Sequence, residues 1–172
     1  MEDQALEASA MLFGPDDKVL CAATAWLSDV DGWKTVECIL DSGASESVCP
    51  ASMAPLWPVE DSPGSLVGLH YLSASGGRIP NRGQQRLPIE LGNGIRTHAV
   101  FQVADVSRPL VSVAKLAEAG KAVIFGCNGG VIRDLASGVD TPFERRDGIY
   151  IFKIRIPPPS AVAPSASFAG HP

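Results

Sequence analysis

The chain has 172 residues, of which 14 are Lys or Arg and 19 are Asp or Glu, so its formal net charge is −5. That length predicts one domain, and an apolar content of 45% excludes a wholly disordered chain. The acidic balance argues against a nucleic-acid-binding surface, where basic residues cluster on one face. With 17 Gly and 14 Pro, the chain is expected to contain many turns and short strands rather than long helices.

Three zones are predicted from the composition. Residues 1–17 read as a flexible acidic extension, residues 18–156 as the folded domain, and residues 157–172 as a disordered tail rich in Pro, Ala and Ser. The N-terminal residues do not resemble a secretory signal, and no apolar run approaches the ~20 residues that cross a bilayer. The chain is therefore expected to be cytoplasmic and to have no contact with a membrane.

The four cysteines are scattered and form no Cys-x-x-Cys pair, so reduced thiols are expected, with no metal and no cofactor. Short apolar segments alternate with turn clusters along the middle zone, which predicts an all-β fold. The sequence predicts a hairpin of two strands, Val19–Leu27 and Trp33–Leu40, and further strands at Leu66–Leu72, Gln85–Leu91, His98–Val103, Ala122–Phe125, Val131–Asp134 and Gly148–Ile156. One short helix is predicted over Val113–Ala119, ending at Gly120.

The most informative segment is the apolar run that ends in Asp41-Ser42-Gly43-Ala44. A carboxylate at the end of a buried strand is predicted to lie in a low-dielectric environment, where its ionisation is tunable. The Ser42 hydroxyl can hold the loop, and Gly43 lets its backbone N–H approach a carboxylate closely. The same letters also make an ordinary turn after a strand, and that alternative stays open on the tripeptide alone.

This signature resembles the active-site loop of the retropepsin-like aspartic proteases, and in particular those of copia-type LTR retrotransposon polyproteins. The resemblance implies a closed β-barrel or sandwich of the acid-protease type, with Asp41 as the catalytic residue and Ser42, Gly43 and Ala44 supporting its loop. About 30 residues downstream, the segment around Ser75, Gly76 and Gly77 resembles the glycine-tipped hairpin flap that closes over substrate.

Two later segments extend the resemblance to about residues 33–154. The run Pro109-Leu110-Val111-Ser112-Val113 is similar to the strand and short helix that close the core in the copia-type family, although retroviral proteases usually place a glycine where Ser112 stands. The segment from Thr141 to Ile151 is similar to the strand pair that follows the protease in these polyproteins.

Aspartic proteases use two carboxylates that share one proton, and this chain has one Asp-Ser-Gly. Its length excludes a bilobed enzyme with two such motifs. The resemblance therefore implies a homodimer in which two copies of Asp41 activate a water for peptide-bond hydrolysis, with a peptide or polyprotein as substrate and retroelement polyprotein processing as the role.

Other interpretations remain open. A non-catalytic retropepsin-like module would dimerise or bind peptide in its cleft, and a domesticated remnant would keep Asp41 without turnover. Glu46, Arg78 and Arg108 could contact substrate or a partner chain, but the favoured interpretation is that their side chains are solvated. A thiol site built from Cys49 and His70 or His98 would need segments to meet without a supporting motif.

Overall fold

The computed structural model describes residues 31–73 and 75–162, together with the backbone of residues 9–10. The fold is mostly β-strand, which confirms the all-β class. The strands are β1 Ser9–Ala10, β2 Lys34–Asp41, β3 Val48–Cys49, β4 His70–Ser73, β5 Arg78–Pro80, β6 Gln84–Leu91, β7 Arg96–Val103, β8 Leu110–Ser112, β9 Lys121–Gly126, β10 Gly129–Asp134, β11 Asp140–Arg146 and β12 Ile149–Ile156. The helices are α1 Pro63–Leu66 and α2 Val113–Glu118, with 3₁₀ turns at Ala51–Met53 and Pro159–Ala161.

Six strands pair in a ring. The order is β2, β8, β3, β7, β6 and β12, and β12 then pairs antiparallel with β2, from Ile151 opposite Ile39 to Ile156 opposite Lys34. Strands β11, β10 and β9 continue the sheet outward from β12. Strands β4 and β5 form a separate small sheet with β1, which runs parallel to β4. The hairpin β4–β5 is thus hydrogen-bonded apart from the ring.

The core lies inside the ring, because the strands turn alternate side chains inward. On β2 the buried residues are Val36, Cys38 and Leu40, two positions apart. They belong to one apolar cluster with side chains of other strands of the ring, including Leu87, Phe101, Val103 and Ile154. This packing fixes β2, and with it the position where the strand ends at Asp41.

Most of the predicted strands are confirmed with shifts of one or two residues at their ends. The prediction for Leu66–Leu72 was wrong over its first part, because Ser62 caps a helical turn there. Ser65 N–H donates to Ser62 Oγ at 3.1 Å, and Ser62 N–H donates to Ser65 Oγ at 2.9 Å. This reciprocal pair, with Pro63 in the first turn, favours helix at a site where the apolar run suggested a strand.

The predicted helix is confirmed as α2, which is capped by Ser112 and followed by Gly120 at a φ of +74°. The expectation of a single helix was wrong, since α1 is a second short one. The hairpin β9–β10 turns more tightly than predicted, over Cys127 and Asn128. No described helix has the length and apolar character needed to cross a membrane.

The described fold continues past the boundary predicted at residue 156. Pro157 is buried, its carbonyl accepts a hydrogen bond from Trp57 Nε1 at 3.0 Å, and a 3₁₀ turn follows. The predicted strand Val19–Leu27, the rest of the tail from residue 163, and the acidic extension apart from residues 9–10 lie outside the described residues.

Candidate active site

Asp41 is the last residue of β2, at the point where the strand leaves the sheet. Strand β8 runs parallel to β2 beside it, with Asp41 opposite Ser112. Two residues before Asp41, the backbone N–H of Ile39 donates to the carbonyl of Pro109 at 2.9 Å. The strand end that carries the carboxylate is therefore held by the segment that leads into β8 and α2.

The loop after β2 folds back on the carboxylate. Gly43 N–H donates to Asp41 Oδ1 at 2.7 Å. Ser42 and Gly43 are exposed and Asp41 is half-buried, whereas Ala44 is buried against the body of the domain. One chain therefore presents Asp41 at its surface, and does not by itself enclose it in the apolar environment that the sequence predicted.

The predicted glycine-tipped segment forms the turn of the hairpin β4–β5. Leu72 pairs with Arg78, Ser73 N–H donates to Gly77 O at 2.8 Å, and Gly76 N–H donates to Ser73 O at 2.8 Å. Gly76 has a φ of +81°, a conformation that favours glycine. Ser75, Gly76 and Gly77 are all exposed, so the tip is available to a ligand.

The base of this hairpin is anchored by a buried amide that the sequence analysis did not single out. Asn81 Nδ2 donates to Tyr71 Oη at 3.1 Å and to Gln102 Oε1 at 2.9 Å, which connects β4 to β7. Asn81 Oδ1 accepts from Gly83 N–H at 2.8 Å. Asn81 therefore fixes the root of the hairpin while the tip stays exposed.

Glu46 of the Asp41 loop is close enough to the hairpin β4–β5 for its charge to act on Tyr71. Burial, together with the charge of Glu46 and against the opposing hydrogen bond from Asn81, raises the pKa of Tyr71 to about 12. Glu46 also forms an ion pair of 3.2 Å with Lys115 of α2. Hydrogen bonds to Glu118 and Glu46 raise the pKa of Lys115. Glu46 thus contacts the helix behind the loop, whereas the sequence favoured a solvated turn residue.

The thiol alternative gains no support from the geometry. Cys49 is fully buried, and burial raises the pKa of its thiol to about 12. Its Sγ donates to Gln85 Oε1 at 3.7 Å, so the thiol is a protonated donor in the core rather than a nucleophile. His98 is exposed on β7. Among the described residues, no three His, Cys, Asp or Glu side chains are grouped so that they could hold a metal ion.

A cavity of about 570 Å³ lies elsewhere, between β6–β7, α2 and the outer strands β9–β11. Its walls are mostly apolar, and neither Asp41 nor the hairpin tip lines it; representative lining residues are Ile89, Leu91, Leu116, Ile132 and Phe152. Lys115 of α2 and Ser47, which follows Glu46 in the loop after β2, also line this cavity and connect it to the candidate site.

Comparisons of the chain with protein-family models, with curated proteins and with solved structures found no match. Of the residues that the sequence singled out, Asp41, Ser42, Gly43, Ala44 and Glu46 lie on one loop, and the structure pairs Glu46 with Lys115 of α2. Arg78 is exposed on β5, and Arg108 is half-buried before Pro109. The candidate site is thus the Asp41 loop, supported from behind by β8 and α2, with the hairpin β4–β5 beside it.

Proposed function

We propose that the chain is a retropepsin-like aspartic endopeptidase that is active as a homodimer. The observation that carries the proposal is the setting of Asp41: it ends a central strand, its Oδ1 accepts from Gly43 N–H at 2.7 Å, and the loop around it is exposed. An ordinary turn after a strand needs neither a carboxylate at the strand end nor a second strand running parallel beside it.

The chemistry requires two such carboxylates. When two copies of Asp41 lie close together, both cannot ionise, so one proton is shared between them. The ionised member takes a proton from a water between the two carboxyl groups, and the protonated member donates to the carbonyl of the scissile peptide bond. The pair titrates as a unit, and no single pKa belongs to either copy. Carboxylates and water supply this chemistry, so no cofactor is needed.

The retropepsin-like fold is part of the proposal. The ring of six strands, the parallel pairing of β2 with β8 and the separate glycine-tipped hairpin support it. In this interpretation Ser75, Gly76 and Gly77 contact the backbone of a bound peptide. The substrate is a peptide or polyprotein in extended conformation, and the role is processing of a retroelement-type polyprotein in the cytoplasm.

The test is cleavage of a diverse peptide library by the full chain at pH 4–6 and near pH 7, comparing the wild type with Asp41→Asn. Loss of the acid–base pair is expected to lower the rate by about 10²–10⁴-fold. Asp147→Asn is the matched control, because it makes the same chemical change in a turn at a φ of +51°, which asparagine also tolerates. The control is expected to cleave at the wild-type rate.

Sedimentation velocity and circular dichroism complete the test. Cleavage by a species that sediments as a monomer would refute the two-chain mechanism, and cleavage that survives Asp41→Asn would refute the catalytic assignment. Peptide binding without cleavage by the wild type would favour the non-catalytic module instead. An unchanged circular dichroism spectrum of Asp41→Asn is required before its loss of activity is assigned to chemistry.

A further inference from the structure

Ser112 lies at the junction of β8 and α2 and is completely buried. It is the residue opposite Asp41 in the parallel pairing of β8 with β2. A fully buried hydroxyl must find hydrogen-bond partners, because an unpaired one costs free energy. Its partners therefore show what the residue holds in place.

Those partners are the Asp41 loop and the first turn of α2. Ser112 Oγ donates to the carbonyl of Ala44 at 2.6 Å and accepts from Lys115 N–H at 3.2 Å. Its backbone N–H donates to Ser47 Oγ at 3.1 Å. One residue thus binds the loop at two points and caps the helix at the same time.

The bond to Ala44 acts close to the carboxylate. Gly43 N–H, which holds Asp41 Oδ1, belongs to the residue before Ala44. Because the carbonyl of Ala44 is held by Ser112, the short segment between Asp41 and Ala44 is fixed at both ends: by β2 on one side and by Ser112 on the other. The ion pair of Glu46 with Lys115 adds a second, exposed tie between the same loop and the same helix.

We propose that Ser112 is a positioning residue for Asp41, which sets the loop that aims the carboxylate at its symmetry mate; this inference rests on the proposed protease function. A helix cap alone would explain the bond with Lys115 N–H. It would not explain why the same hydroxyl donates to a loop carbonyl across 68 positions of sequence.

The test measures kcat and KM of the full chain on a peptide that the wild type cleaves, well below the unfolding temperature of each variant. Ser112→Ala is expected to lower kcat by about 10- to 100-fold, because a misplaced reacting group is costly. KM is expected to stay within about threefold, since peptide binding by the hairpin does not use Ser112. Ser112→Thr keeps the hydroxyl and is expected to restore most of kcat.

Two further variants separate positioning from loss of stability. Thr141 lies on β11, away from the Asp41 loop, and its buried hydroxyl accepts a hydrogen bond from Asn93 Nδ2 at 3.0 Å. Thr141→Val removes this hydroxyl and is expected to lower the unfolding temperature while kcat stays unchanged. Ser47 is a half-buried residue of the Asp41 loop, and Ser47→Ala removes the hydroxyl that accepts the hydrogen bond from Ser112 N–H. It is expected to fold normally and to reduce kcat severalfold.

Each result has one meaning. Wild-type kcat in both Ser112→Ala and Ser47→Ala, while Asp41→Asn is inactive, overturns the positioning role and leaves the protease proposal standing. A fall in kcat of Thr141→Val as large as that of Ser112→Ala also overturns it, because general destabilisation would then explain both. Absence of cleavage by the wild type, or cleavage by Asp41→Asn, instead counts against the protease function itself.

Discussion

Asn81 offers a direct test of how the hairpin beside the candidate site is held. The residue is 8% exposed, and its amide joins Tyr71 of β4, Gln102 of β7, Ser62 before α1 and the backbone of Gly83. Asn81→Ala removes all four side-chain hydrogen bonds. The change leaves donors and acceptors without partners in a part of the protein where water has little access.

The magnitude follows from the lengths of the bonds. Three of them are 2.8, 2.9 and 3.1 Å, and the fourth, from Ser62 Oγ, is 3.4 Å and adds little. At about 1 kcal/mol net for each good bond, Asn81→Ala is expected to cost about 3 kcal/mol in the free energy of unfolding. For a domain of this size, that corresponds to a fall of roughly 10 °C in the unfolding temperature.

The assay is urea unfolding followed by circular dichroism, with amide hydrogen exchange resolved by mass spectrometry. Asn93→Ala is the matched control: Asn93 is exposed, only its bond to the buried Thr141 Oγ1 at 3.0 Å reaches the interior, and the change is expected to cost about 1 kcal/mol. Exchange in Asn81→Ala is expected to rise most over residues 70–80. A loss of stability no larger than that of the control, or exchange that rises equally over β9–β10, would refute this account of the hairpin root.

The remaining predictions concern pH and thiol chemistry. Hydrogen bonds from Lys121 and Ser137 hold the pKa of Asp134 well below its usual range. The pKa of Asp134 is lower in the folded state than in the unfolded state, so its contribution to the free energy of unfolding is present above about pH 4 and is lost as the pH falls further. Asp134→Asn is therefore expected to have a lower unfolding temperature than the wild type at pH 7, and this difference is expected to become smaller in acid. Iodoacetamide at pH 8 is expected to label exposed Cys127 in the native protein and to spare Cys38 and Cys49 until denaturant is added, as peptide mapping would show. Rapid native labelling of either buried thiol would contradict the packing of β2 and β3.

Periodicity made much of the ring predictable. In β2 the apolar residues Val36, Cys38 and Leu40 are two positions apart and are the buried ones, and β6 and β7 also bury residues that are two positions apart. The end of α2 was predictable because glycine commonly follows the last residues of a helix, and Gly120 does adopt a positive φ there. In contrast, β3 is two residues long and exists through its pairings with β7 and β8, which no local pattern reveals.

The supporting residues of the candidate site were harder to find, for a related reason. Asn81 sits between Pro80 and Arg82 in what reads as a polar loop, and Ser112 reads as an ordinary helix cap. Their importance comes from burial and from partners distant in sequence, such as Gln102 and Ala44. A buried polar group is identified by the three-dimensional environment that it must satisfy, and that environment is not a property of its neighbours in sequence.

Asp41 lies at the surface of the chain, and in the proposed dimer each chain supplies only one of the two catalytic carboxylates. In one chain the carboxylate is half-buried and has Gly43 N–H as its donor, while Ser42 and Gly43 are exposed. Proton sharing between two carboxylates requires that they be close and shielded from bulk water. In the proposed dimer, the second copy supplies both the second carboxylate and the shielding. The residues that perform the chemistry then also belong to the dimer interface. The loop that carries Asp41 must therefore be rigid before the two chains associate, and the proposed role of Ser112 is to hold it so.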